Sequence, residues 1–137
     1  MREILFKGKR VDNGEWVHGD LLHNHDDRVF VGEVIVNGYN GTACDRYEIE
    51  TGLYEVLPET VGQYTGLTDK NGTKIFEGDI VVQPCCPSIK IEVLYSETYM
   101  VWFVAELDSD EISELSNFKD GDFEIIGNIH DNQEGAK

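Results

Sequence analysis

Apolar positions along the chain recur mostly with a period of two, the spacing of half-buried strands rather than helices. Arg2 to Lys7 sets Ile4 and Phe6 on one side and Leu5 on the other. Lys9 to Gly14 then has turn composition, and Glu15 to Leu22 resumes as a second strand carrying Trp16, so the chain should open with a β-hairpin. The polar run His23 to Asp27 interrupts. Arg28 to Val36 follows, dense in β-branched and aromatic residues, with Gly32 marking a bulge or a close backbone approach. Residues 37–41 read as a loop, and Tyr47 to Val56 as two short strands around Thr51-Gly52. Pro58 closes this half.

The stretch from Gln63 to Val82, QYTGLTDKNGTKIFEGDIVV, contains the clearest turn, Asn71-Gly72. A type I′ hairpin needs both central residues at positive φ, which glycine tolerates freely and asparagine better than most. The flanks are polar near the turn and apolar further out, which predicts a short exposed hairpin rising from a buried base. A second turn at Glu77-Gly78-Asp79 then launches Ile80 to Val82 as a buried strand. Beyond it, Pro84-Cys85-Cys86-Pro87 reads as a stiff connection, and Ile89 to Tyr95 alternates as a half-buried strand. Ser96 to Thr98 turns the chain. Tyr99 to Leu107 is apolar on both faces and is expected to be the most buried strand. Asp108 as a cap, with Glu111 three residues on and Ile112 and Leu115 facing inward, predicts a short helix stopped by Gly121. Asp122 to Ile129 is a closing strand, and residues 133–137 a frayed tail. Short strands with one helical turn before the last suggest a small closed barrel from Gln63 onward, which would hide its edges.

Composition agrees with a folded domain: 40% hydrophobic and 28% charged residues lie in the globular range, and 137 residues can bury a core without metal or disulfides. Charge is the outlier. Eleven basic against 27 acidic residues give −16, a surface that repels nucleic acid and anionic membranes and attracts basic proteins. No apolar run has the length of a signal peptide or a membrane span, and three cysteines, Cys44, Cys85 and Cys86, make no secreted disulfide framework. A cytoplasmic setting is expected.

Two runs, QYTGLTDKNGTKIFEGDIV and the later FEIIGNIHDN, closely resemble the two signatures of the YopX family of phage and prophage proteins. The opening REILFKGKRVDNGEWVHGDLL, with PETVGQYTG before the hairpin, is similar to one branch of that family, so the resemblance spans Arg2 to Asn132. It implies a C-terminal SH3-like barrel, assembly into a homo-oligomer and a bacteriophage setting; with the strand pattern, the chain divides into an N-terminal β-rich segment over residues 1–62 and the barrel over residues 63–137. No activity, cofactor or catalytic residue comes with it.

Candidate chemistry is sparse. His23 and His25 with Asp26 or Asp27 offer nitrogen and oxygen ligands to a divalent metal, but a closed site would need more, from His18 or His130. A solvated loop explains them as well. Cys85-Cys86 lacks the two-residue spacing of zinc knuckles and thioredoxin-like motifs. Glu77 and Asp79, with Asp69, suit an acid/base or magnesium pair, although turn chemistry accounts for them without a substrate. Trp16 and Trp102 mark either binding faces or core. Glu106 to Glu124 holds eight carboxylates and one lysine, Lys119, either a solvated face or an imitation of DNA phosphates directed at a basic host or phage protein. Phosphate loops, nucleophile elbows and HExxH pairs are absent from the sequence. The reading is therefore a mainly β, non-catalytic protein that binds or assembles through protein contacts. An acidic DNA mimic is the alternative, and a metal-dependent enzyme using His23 and His25 the weaker one.

Overall fold

A computed structural model describes residues 3–38 and 47–131, and the expected loop beyond Gly38 and the expected tail lie outside them. The described chain is mainly β, with two three-residue 3-10 turns and no α-helix. It divides into two units, residues 4–61 in one and Glu3 with the described residues from Gly62 in the other.

In the first unit β1 (Phe6–Lys9), β2 (Trp16–His23), β3 (Val29–Gly38) and β4 (Tyr47–Val56) form an antiparallel meander. The opening hairpin pairs Phe6 with Gly19 and Lys9 with Trp16, and Asn13 Oδ1 accepts the Glu15 N–H (2.9 Å) to shape its turn. Lys7 and Lys9 lie over the Trp16 ring, 4.7 and 5.7 Å from its centre. Tyr47 to Val56 is one strand, not two, because β3 pairs with it over ten consecutive positions and carries it straight through Thr51-Gly52. Gly32 is a close approach, as expected: a Cβ there would overlap the Gly52 carbonyl. Val31 and Val56 are buried, and a 3-10 turn at Pro58–Thr60 closes the unit, Thr60 Oγ1 accepting the Lys9 N–H (2.9 Å).

In the second unit β5 (Gly62–Thr68) and β6 (Lys74–Phe76) form a hairpin. Strands β7 (Asp79–Gln83), β8 (Cys86–Ser96), β9 (Val101–Glu106), β10 (Ile112–Glu114) and β11 (Glu124–Asn128) form a five-stranded antiparallel sheet in the order β10-β9-β8-β7-β11. Ile75 of the hairpin meets Val81, Ile91, Val93, Val104, Leu115 and Phe123 in one core. The sheet does not close into the expected barrel, since β10 and β11 end it on either side. Nor does Asp108 cap an α-helix. Ser109 Oγ accepts the Glu111 N–H (3.1 Å) and donates to Glu106 Oε1 (2.9 Å), local bonds that compete with a helical ladder. Ile112 then pairs with Ala105 as β10 and points to solvent, while Leu115 alone turns inward on a 3-10 turn, Leu115–Asn117.

The central hairpin also differs from the expected type I′ form. Only Gly72 has positive φ (83°), and the Asp69 carbonyl accepts the Gly72 N–H (3.0 Å), which makes a three-residue loop ending in a left-handed glycine. Its tip is clamped rather than free: Lys70 N–H donates to the Phe123 carbonyl (2.8 Å) and Thr68 N–H to Asp120 Oδ1 (2.9 Å). The most buried strand is β7, four of whose five residues are buried, whereas β9 buries only Val104.

Candidate protein-binding face

Alternation sorts the side chains of β8 and β9 between two faces. Ile91, Val93 and Val104 enter the core, with Trp102 packed against it. Leu94 on β8 and Val101, Phe103 and Ala105 on β9 therefore face the other way. Leu94 stands opposite Phe103, and Ala105 opposite Ile112 of β10, so an apolar stripe crosses three strands. The first four are only half-buried, and Ile112 is 65% exposed.

The stripe runs into the β8–β9 turn, where Tyr99 and Met100 are 79% and 77% exposed. Met100 adopts φ 54°, a left-handed conformation, and Ser96 Oγ accepts the Tyr99 N–H (3.2 Å), so the turn is shaped by its own residues. Depressions flank it on both sides. The larger, about 900 Å³, is lined by Tyr99, Met100, Val101, Phe103 and Ile112 with Glu114 at its edge. The smaller, about 350 Å³, lies toward the hairpin among Leu67, Trp102, Leu115 and Phe118. Tyr95 meets Trp102 edge-on at 5.0 Å.

Charge around this face is mainly acidic. From Ile91 to Phe118 the chain carries seven carboxylates and no lysine, arginine or histidine, although the exposed Lys90 precedes Glu92 on the same side of β8. Glu92 stands opposite Ala105 on the striped face, and burial pushes its carboxyl above the usual range. Burial likewise pushes Glu77 up, and the charges of Glu97 and Glu92 add to this against a hydrogen bond from the Gln63 N–H.

The other sequence candidates fall elsewhere. His23 ends β2 and His25 is exposed in the following turn, 3.7 Å from Asp26, while Asn24 Oδ1 takes the N–H groups of Asp26 and Arg28. Among the described residues no group of three or more His, Cys, Asp or Glu side chains is placed to hold a metal. Asp69 and Asp79 are buried and bonded within the fold, Asp79 Oδ2 accepting the Phe76 N–H (2.8 Å) and Oδ1 the Asn128 side-chain amide (3.0 Å). Glu77, half-buried, is the member of that trio that stays near the surface. Trp16 lies under two lysines, and Trp102 borders the smaller depression. The acidic stretch supplies Glu114 at the larger depression, Glu106 at the end of β9, and Asp108, Asp110 and Glu111 in the turn between β9 and β10. Tyr99, Met100 and Ile112 were not legible as surface residues, because an apolar strand and an amphipathic helix both predict burial.

No curated protein matches the chain. A solved structure does: the crystal structure of protein EF1440 from Enterococcus faecalis, 27% identical, aligns over 100% of both chains with a TM-score of 0.62. The sequence model of the YopX protein family matches residues 5–135. By that match, over nearly its whole length, the chain belongs to the YopX family.

Proposed function

We propose that this protein is a non-catalytic protein-binding module acting in the cytoplasm, and that it contacts its partner through the outer face of β8, β9 and β10 and the Tyr99–Met100 turn. The exposure of Tyr99, Met100 and Ile112 along one continuous stripe carries the reading. Contiguous apolar surface rimmed by polar groups is what a docking site leaves uncovered. The partner is a protein segment with apolar anchors set among basic residues. Its apolar side chains gain roughly 25 cal/mol for each Å² buried, and its lysines or arginines meet the carboxylates around the stripe.

A second copy fits this face less well, since it brings another −16 and another carboxylate rim. The homo-oligomer that the family resemblance implies would then use a different surface. A pure mimic of DNA phosphates accounts for the charge but gives the apolar stripe no role. The resemblance to phage and prophage proteins supports a host or phage protein as the basic partner.

A photo-crosslinking amino acid at Tyr99 or Ile112, with Glu59 as an exposed control site, tests this in cells. We expect one basic protein captured at the first two positions and not at the third, lost with Phe103→Ser and weakened by salt. Capture of further copies of this chain at Tyr99, or of the same partner at all three sites, would overturn it.

A further inference from the structure

We propose that Cys85 and Cys86 form a redox-exchangeable dithiol at the tip of the β7–β8 hairpin, a site where a low-molecular-weight disulfide such as oxidised glutathione is reduced as the two sulfurs join. The geometry is local. Pro84 and Cys85 make the two-residue turn between Gln83 and Cys86, which pair across the hairpin. The two sulfurs lie 3.2 Å apart, Cys85 exposed and Cys86 half-buried. Pro84 and Pro87 bracket them and restrict the backbone on both sides, which holds both thiols at the tip.

The chemistry follows from access. The hydrogen bond and charge of Cys85, with burial and the Glu106 carboxylate, push the Cys86 thiol up, so Cys86 keeps its proton while the exposed sulfur reacts. Cys85 thiolate attacks one sulfur of the small disulfide, whose S–S bond breaks, and one thiolate leaves and takes up a proton. Cys86 then gives up its proton and attacks Cys85 Sγ, expelling the second small thiol. Two protein thiols are oxidised and one disulfide is reduced to two thiols.

The product is labile by construction. A disulfide ordinarily joins Cα atoms about 4.4–6.8 Å apart, and neighbouring residues hold theirs at about 3.8 Å. The closed ring is therefore strained, and strained disulfides are reduced readily. It would serve as a reversible mark on the hairpin rather than a staple. Closure also disturbs the Gln83–Cys86 pair at the end of β7, the most buried strand.

The test uses the full chain with Cys44→Ser, checked by peptide mapping against the unaltered protein. After treatment with oxidised glutathione, intact mass should show loss of two hydrogens without an adduct, reversed by mild dithiothreitol. Cys86→Ser should instead keep one glutathione on Cys85, and Cys85→Ser should react several-fold more slowly. A stable glutathione adduct when both cysteines are present, disulfide-linked dimers, or an unchanged mass in a protein whose thiols still alkylate would overturn the proposal.

Discussion

Asp69 lies 5% exposed beneath the central hairpin and accepts three backbone N–H groups, from Asn71 (2.8 Å), Thr73 (2.9 Å) and Ile125 (3.3 Å). Burial alone would push its carboxyl up; the N–H groups of Thr73, Ile125 and Asn71, with the charge of Lys70, outweigh that and hold it below the usual range. A depressed folded value means stability that is present above the unfolded value of about 3.8 and lost as pH falls through the folded one. Asp69→Asn keeps the shape but turns an amide toward donors. It should cost about 1–3 kcal/mol at neutral pH, read by urea unfolding, and flatten the acid limb of the stability curve. Unchanged stability at pH 7 would leave Asp69 without this role. The sequence could name Asp69 as a turn residue; that Ile125, 56 positions away, supplies its third donor depends on tertiary packing.

At the scale of elements, β3 and β4 approach so closely at Gly32 that a methyl group has no room before the Gly52 carbonyl. Gly32→Ala must push the strands apart or shift their register, at a cost of about 1–3 kcal/mol, with faster amide exchange around Val31 and Tyr54. Gly52→Ala meets nothing within 4 Å and should stay within about 0.5 kcal/mol of the parent. Equal effects from the two would show that crowding at Gly32 is not the cause. Strands β2 and β3 were legible because their apolar runs lie between turn-forming stretches, whereas the first strand, expected over Arg2 to Lys7, forms at Phe6–Lys9. Thr51-Gly52 looked like a turn since local composition says so, and only the facing β3 overrides it. The capping pattern after Asp108 predicted a helix for the same kind of reason, while cross-strand pairing with β9 decided otherwise. Most telling is β9, whose apolar residues on both faces predicted cover on both. One face is left half-open, and that mismatch between pattern and burial is the clearest pointer to the candidate site.

Across the whole molecule a net charge of −16 opposes compaction, and burial of the Glu77 and Glu92 carboxyls adds a further cost to their ionisation. Both folded values are raised above an unfolded value of about 4.5, so the native state binds more protons than the unfolded chain between the two. Their favourable contribution is complete below that unfolded value and is lost as pH rises through the folded ones. Asp69 pulls the other way only at more acid pH. Stability should therefore rise as pH is lowered from 7 toward about 5, and salt at pH 7 should raise it too by screening the repulsion within the net charge of −16. Glu92→Gln removes one of the two groups and should shallow the pH slope. Urea midpoints at several pH values, with and without salt, check all three outcomes, and a steady loss of stability from pH 7 to 5 would contradict them. A basic partner seated on the face should act as protons and salt do, relieving the same carboxylates. Its binding should therefore raise the midpoint most at neutral pH and low salt, and least where the carboxylates are already neutral or screened.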